Sequence, residues 1–459
     1  MAARSVDLPS AFLADVDAAC GPGGLITDPA LTAGQGIDWT GRFRAAPPVV
    51  ARPNSVEAVA AVVVAASVHG VALVPQGGNT GLVGGSVPLD GEVVVDLRRM
   101  DAITDLDLLG GQATAGAGVT IAGLQAAARS IGWAYGVDWA ARDTATVGGS
   151  VATDAGGLRF VRHGGTRRQL LGVEAVLGSG EVVRHLPGVE KDNTGYDLAA
   201  LLCGSEGTLG VITAARVRFV APSGPLATAL VAFDDVDHAV LAASQLRRSA
   251  AGLEAVELML AAGLDLVCHS TGAARPFAAP VPVVLLIEVS DPADPVGALA
   301  ASVGGLGGVL DSVVASDGLR RAQLWRYRED HTEVIGRLGP PHKFDVTLPA
   351  PELATFVTDA PRIVASVAPH AATWCFGHAA DGNVHVNVTG LPPDDDAVAD
   401  AVFAEVAARG GSISAEHGIG RAKRRWIHLA RSPGDLAAMR AVKRALDPHG
   451  ICNPAVLLP

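Results

Sequence analysis

His378 and His385 stand seven residues apart in Phe376-Gly377-His378-Ala379-Ala380-Asp381-Gly382-Asn383-Val384-His385-Val386-Asn387, the stretch best suited to chemistry. Asp-Gly between short alternating runs predicts a two-residue type I′ hairpin, because glycine takes φ > 0 without a side-chain clash. With Asp381 and Gly382 at the tip, Ala380 faces Asn383, Ala379 faces Val384 and His378 faces His385. Opposed residues share one face of a strand pair, their Cβ atoms roughly 4.5–5.5 Å apart. Two imidazoles then project side by side, and Asn387 points the same way. Neutral imidazole is a good ligand for zinc and its neighbours. A polar patch on a strand pair is the plainer alternative, because an anionic third ligand is missing from the stretch. One lies downstream in Ser414-Ala415-Glu416-His417-Gly418-Ile419-Gly420, where small residues let other groups approach closely. His378, His385 and Glu416 make a two-histidine, one-carboxylate set with open positions, the pattern of catalytic metal centres.

Such a site must be positioned, and three glycine clusters upstream suggest beside what. Pro75-Gln76-Gly77-Gly78-Asn79-Thr80-Gly81-Leu82-Val83-Gly84-Gly85-Ser86 places five glycines in twelve residues after a short apolar strand. Bare backbone amides of this kind can wrap a pyrophosphate, although a surface loop looks the same in isolation. The second cluster is Thr146-Val147-Gly148-Gly149-Ser150-Val151-Ala152-Thr153-Asp154-Ala155-Gly156-Gly157, and the third Leu202-Cys203-Gly204-Ser205-Glu206-Gly207-Thr208-Leu209-Gly210-Val211-Ile212-Thr213. Three separated small-residue loops suit a long ligand with several phosphates. A P-loop is absent, and Gly116-Ala117-Gly118 lacks the rest of a dinucleotide fingerprint, so NAD is not supported.

The 459 residues exceed one core and predict two or three domains. A net charge of -12 argues against nucleic acid as a partner. The N-terminal residues show no apolar stretch of a secretory signal. The most apolar window, Ala58–Val74, is broken by Ser67, His69 and Gly70 and reads as core helix and strand rather than a membrane span. Five scattered cysteines without a C-x-x-C pair fit a reducing cytoplasm. Asn54 is placed to cap a helix over Ser55–Ser67, which Gly70 stops. From about residue 226 strands and helices alternate as in an α+β domain with an antiparallel sheet. Its helix near Arg320–Leu338 puts Arg328 and Thr332 on one face, and the strand from His342 puts Lys343 and Asp345 on one side. The predicted division is a lead-in (1–45), a glycine-loop domain (46–222), an α+β domain bearing the hairpin (223–408) and a returning C-terminal segment (409–459).

Taken together, PQGGNTGLVGGSVP, TVGGSVATDAGG, NTGYDL with GSEGTLGVIT, GHAADGNVHVNV, EHGIG and the closing NP occur in the order found in FAD-linked D-2-hydroxy-acid dehydrogenases of the vanillyl-alcohol oxidase superfamily. The chain resembles that family over roughly 43–459, and most resembles its D-2-hydroxyglutarate branch. The resemblance implies a two-subdomain FAD-binding domain, a capping substrate domain and a C-terminal segment that returns to the flavin. It implies FAD contacts by Pro75, Gln76, Gly77, Gly78, Asn79, Thr80, Gly81, Leu82, Gly85, Ser86, Thr146, Gly148, Gly149, Ala152, Gly156, Glu206, Gly210, Ile212 and Asn453. Zinc or a related divalent metal would be held by His378, His385 and Glu416, with His417 as the base. Arg328, Thr332, Lys343, Asn387 and His417 match substrate-binding positions. Gln76 departs from the family, many of whose members carry arginine there.

The implied reaction oxidises a D-2-hydroxy acid to the 2-oxo acid. His417 takes the hydroxyl proton, non-covalent FAD accepts the hydride, and a separate acceptor such as an electron-transfer flavoprotein or a quinone drains the electrons. Arg328 and Lys343 beside a metal favour a dicarboxylate substrate. A D-lactate or glycolate dehydrogenase is the alternative within the family. A metal-dependent hydrolase with structural glycine loops is the alternative outside it. Oligomeric state is left open, a homodimer included.

Overall fold

The computed structural model describes residues 7–459; the first six residues, on which the predicted lead-in and the reading of the N-terminus partly rest, lie outside the described residues. The chain forms two compact units. The first comprises Met1–Gly157, Gly164–Pro222 and Glu416–Pro459, and the second Leu158–His163 and Ser223–Ala415. The α+β class is as expected.

The first unit holds two sheets. One has the order β1-β2-β4-β3, from β1 (Leu25–Ile26), β2 (Val50–Ala51), β3 (Leu73–Gln76) and β4 (Val93–Asp96), with β3 and β2 parallel to β4. The other, entirely antiparallel, has the order β5-β6-β9-β7-β8, from β5 (Ile103–Asp107), β6 (Gln112–Gly116), β7 (Leu170–Leu177), β8 (Val182–His185) and β9 (Gly210–Arg218). The helix predicted after Asn54 runs over Val56–His69, and its cap is Ser55, whose hydroxyl accepts from the Ala58 amide at 3.2 Å. Ser55 wins because it has the extended backbone (φ -148°) that a capping side chain needs. Gly70 ends the helix in the left-handed conformation, as predicted. Val56, Val59, Val62, Val63 and Ala66 are buried against β3, β4 and the helix Ser10–Cys20. Each buried valine contributes about 1.5–3 kcal/mol, which outweighs the small helix-propensity cost of its branched side chain.

The second unit is built on a seven-stranded antiparallel sheet in the order β13-β10-β12-β11-β15-β16-β14. Its strands are β10 (Leu226–Phe233), β11 (Leu253–Leu260), β12 (Val283–Ser290), β13 (Val309–Ala315), β14 (His342–Thr347), β15 (Ala372–His378) and β16 (Asn383–Thr389). All of β12 is buried, as expected of a central strand covered on both faces. One face carries Leu230, Ala232, Met259, Val284 and Leu286, packed against Leu324 and Trp325 of the helix Gly318–Glu329.

On that same face a glutamate interrupts the apolar run. Glu288 is fully buried. It receives Arg321 Nη2 at 2.7 Å, Trp325 Nε1 at 2.9 Å and Thr228 Oγ1 at 2.5 Å, and pairs with Arg159 at 2.5 Å. Arg159 and Arg162 come from the excursion Leu158–His163, and Arg162 also pairs with buried Glu254 at 3.3 Å. Burial alone would raise the Glu288 carboxyl, but Arg159, Thr228, Arg321 and Trp325 outweigh it and bring it to about 2. Glu288→Gln, which strands two arginines beside a neutral amide, should destabilise the second unit by about 3–5 kcal/mol at pH 7. The depressed carboxyl contributes stability above its unfolded value of about 4.3 and loses it as pH falls toward 2. The gap between parent and variant in urea unfolding should therefore close over that window.

Candidate active site

In the second unit the register of four strands assembles the site. The tip of the β15–β16 hairpin differs from the predicted two-residue turn. His378 pairs with Asn383 and Phe376 with His385, leaving a four-residue connection over 379–382. The cause lies outside the hairpin. The Leu348 amide donates to the Gly382 carbonyl at 3.0 Å, and a Cβ on Gly382 (φ +80°) would stand 2.5 Å from the Leu348 carbonyl oxygen. The Ala379 amide meanwhile extends toward β11, donating to Val256 at 3.0 Å. The shift is two residues, so side chains keep their faces. His378 and His385 become diagonal rather than direct neighbours, with Nε2 atoms 3.3 Å apart.

Pairing carries that face across the sheet: Glu257 opposes His378, Asp345 opposes His385, and Lys343 opposes Asn387. Each imidazole has a carboxylate at its other nitrogen. Glu257 Oε1 lies 2.7 Å from His378 Nδ1, and Asp345 Oδ1 lies 3.4 Å from His385 Nδ1. Carboxylates there favour the Nδ1–H tautomers, so both Nε2 lone pairs converge on one place, the arrangement seen when acids orient metal-binding histidines.

Glu257 also binds Arg328, with Oε2 2.7 Å from Nε. Burial alone would raise the Glu257 carboxyl, but His378 and Arg328 reverse this and hold it below the usual carboxylate range. The Arg328 guanidinium lies over the Phe376 ring, 4.6 Å from its centroid. Arg328 lies in the last turn of the helix Gly318–Glu329, while Thr332 lies in the first turn of the next helix, His331–Gly336. The single predicted helix is thus divided at Asp330. His331 is fully buried, donating from Nδ1 to the Tyr327 carbonyl at 2.8 Å, and packs against Phe376. Burial, reinforced by Arg328, lowers its pKa to about 3, so it is a neutral packing element. Sequence reasoning missed Glu257. The available signal was an acid inside the apolar run Leu253-Glu254-Ala255-Val256-Glu257-Leu258-Met259-Leu260.

In the first unit the three glycine clusters meet. A Cβ on Gly77 would stand 2.1 Å from Thr146 Oγ1, and one on Gly78 1.9 Å from the Thr144 carbonyl oxygen, so only glycine lets the first two clusters approach this closely. The second and third clusters are joined by the Glu206 amide, which donates to Ala152 at 2.8 Å. Asn453 joins the third and the first, donating from Nδ2 to the carbonyls of Glu206 and Gly85, both at 2.8 Å. The first loop is closed on itself: Gln76 Nε2 donates to the Ser86 carbonyl at 2.8 Å, and Ser86 Oγ to Asn79 Oδ1 at 2.8 Å. Gly210 and Ile212 lie in β9, and Gly148 and Gly149 in the short helix Val147–Thr153 capped by Thr146.

The segment bearing His417 is tied to these clusters. Glu416 Oε2 accepts from the Gly157 amide at 3.1 Å, and its other oxygen lies 3.7 Å from His417 Nε2. The Glu206 carboxylate, buried, accepts from the amides of Ile419 at 2.8 Å and Gly420 at 2.7 Å. Burial raises its pKa, opposed by those amides and by Lys423. Glu206 thus fastens the turn next to His417, a role beyond the cofactor contact expected of it.

Residues 47–185 match the family model of the FAD binding domain, and 225–457 that of the C-terminal domain of FAD-linked oxidases. A D-2-hydroxyglutarate dehydrogenase of Xanthomonas citri pv. viticola is 39% identical over 94% of each chain. The mitochondrial D-2-hydroxyglutarate dehydrogenase of Bos taurus is 36% identical over 95% of this chain and 82% of its own. The solved structure of p-cresol methylhydroxylase with substrate bound superposes with a TM-score of 0.78 at 17% identity, covering 98% of this chain and 97% of that one, a likeness of fold. Fold and glycine loops therefore define an FAD-binding oxidoreductase of the vanillyl-alcohol oxidase type. The chain belongs to the family of FAD-linked oxidases that includes the D-2-hydroxyglutarate dehydrogenases. That membership removes the hydrolase reading.

Glu206→Gln keeps the side chain's shape but loses one of two acceptors for the Ile419 and Gly420 amides. It should cost about 1.5–3 kcal/mol of stability and speed hydrogen exchange at those amides. Unchanged exchange there would show that the turn is held by something else.

Proposed function

We propose that this chain oxidises a D-2-hydroxy acid, D-2-hydroxyglutarate foremost, to the corresponding 2-oxo acid, with FAD and a divalent metal, zinc, as cofactors. The observation that carries the reading is the pair of imidazoles whose Nδ1 atoms face carboxylates while their Nε2 atoms converge. Two lone pairs aimed at one point suit a cation, and neutral imidazole suits zinc. His378 and His385 would hold it together with Glu416. When bound, FAD supplies the hydride acceptor and the metal a Lewis acid that acidifies the substrate hydroxyl.

The chain's own residues supply the rest. His417 receives the hydroxyl proton on its imidazole, a contribution of about 10²–10⁴-fold for a positioned base. The bond from the Gly157 amide to Glu416 and those from the Ile419 and Gly420 amides to Glu206 restrict the segment bearing that imidazole. Arg328, Thr332, Lys343 and Asn387 bind carboxylate and hydroxyl groups of the substrate. Pro75–Ser86, the helix capped by Thr146, Glu206, Gly210, Ile212 and Asn453 would hold FAD, a reading supported by the match of residues 47–185 to the FAD binding domain. The substrate assignment is supported by the names of the similar curated proteins. A D-lactate dehydrogenase is the second reading, favoured by one observation: the Arg328 charge is already countered by Glu257.

No helix among the described residues is long and apolar enough to cross a membrane, and the five buried, unpaired cysteines suit a reducing compartment such as the cytoplasm. Reoxidation falls to an electron-transfer flavoprotein or a quinone.

The purified protein should be yellow and should bleach anaerobically with D-2-hydroxyglutarate, faster than with D-lactate and not with the L-isomer. Faster bleaching by D-lactate would reverse the substrate assignment. His385→Ala should keep the flavin spectrum while losing bound metal, by elemental analysis, and turnover. Retained turnover would remove the metal from the reaction.

A further inference from the structure

Glu257 touches two groups that the proposed reaction uses for different purposes. One oxygen serves His378 and the other Arg328, each at 2.7 Å, and the carboxylate is 1% exposed. Neither the hydrogen bond to His378 nor the ion pair with Arg328 is shared with bulk water, so charge drawn toward one partner is withdrawn from the other. The surroundings give it little room to choose another partner. Arg328 is pinned over Phe376, and that ring lies 5.0 Å from the imidazole of His331 and 5.2 Å from that of His385. A Cβ on Gly263 would stand 2.6 Å from His331 Nε2, so the helix Ala261–Thr271 packs closely against that imidazole.

We propose that Glu257 couples the grip on the substrate carboxylate to the grip on the metal, so that occupancy of either strengthens the other. This rests on the reading of Arg328 as a substrate-binding residue and His378 as a metal ligand. An anion that takes up the guanidinium relieves Glu257 of part of its opposing charge. The carboxylate then pulls harder on the His378 Nδ1–H, and Nε2 becomes a better electron-pair donor. In the reverse direction, a cation at Nε2 strengthens the Nδ1–H donor, draws Glu257 toward the ring and loosens its hold on Arg328. The two effects are one coupling free energy and must be equal. Glu257 is a positioning residue in this scheme: it touches neither reacting atom.

The test is a double-mutant cycle read as zinc affinity, measured by competition with a chelating dye on metal-stripped, flavin-loaded protein. Arg328→Met, which imitates a guanidinium withdrawn from Glu257, should tighten zinc binding by about 5–50-fold, within the usual span of coupling between sites. In the Glu257→Gln background the same replacement should change zinc affinity less than about twofold, because the bridge is gone. Arg328→Lys keeps the charge but not the guanidinium contact. It should shift zinc affinity in the same direction, and it carries the test if Arg328→Met does not fold. An equal shift with and without Glu257 would mean that Arg328 acts on the metal through space, and would overturn the coupling. So would no shift at all. A parent protein that takes up no zinc would instead overturn the metal reading, and this proposal with it. Zinc uptake with strictly additive changes would overturn the coupling alone.

Discussion

A carboxylate sealed from water inside a sheet needs a cationic or donor group at each oxygen, and in the second unit that demand places the residues of the candidate site. Glu257 meets it with His378 on one side and Arg328 on the other. The arginine ties the last turn of the helix Gly318–Glu329 to β11, and the histidine ties β15 to it. Glu288, further along the same face, repeats the device with Arg321 from the same helix and Arg159 from the excursion Leu158–His163. Buried ion pairs seldom add net stability over well-packed apolar groups. Their worth here is placement: two acids on one sheet face, each bound to the same covering helix, set that helix in rotation and in register.

The first unit meets a different constraint by a related means. Its glycine clusters must approach closely, which removes side chains, yet they must also hold their shape. The few polar side chains left do the holding. Glu206 and Asn453 adopt left-handed backbones, with φ of 52° and 41°, at a cost of roughly 1–2 kcal/mol each. That cost is offset because each side chain bonds to a segment distant in sequence: Glu206 to Ile419 and Gly420, Asn453 to Gly85. Strain and hydrogen bonding sit in the same residues, so these loops are rigid without bulk.

Much of this was legible in the sequence, and the failures have a common cause. The change of texture expected at about residue 226 coincides with the start of strand Leu226–Phe233, because a short apolar run bounded by Pro225 and Asp234 is a local signal. The end of the helix at Gly70 was equally local. Glu257 was not read, although an acid amid Ala-Val and Leu-Met is conspicuous. Its meaning depends on His378, 121 positions away, and nothing local says that a buried acid will find an imidazole. The hairpin tip failed for the same reason. Asp-Gly predicts its own turn correctly only if nothing else competes, and Leu348 does.

The error at the tip nevertheless left the two histidines on one face, and the reason is arithmetic. Side chains alternate with period two, so any misjudged register that is off by an even number keeps every residue on its face, whereas an odd slip moves the whole set to the other side. The observed pairing is two residues from the predicted one. His378, His385 and Asn387 therefore stay together, and β14 adds Lys343 and Asp345 to the same side. Which residues share a face is fixed by parity within each strand, which the local sequence states. Which residues are directly opposed is fixed by contacts from elsewhere, which it does not. The proposed metal site would tolerate this division, because a diagonal pair of imidazoles brings its Nε2 atoms together as well as a direct pair, provided that carboxylates behind them hold each ring at the required angle.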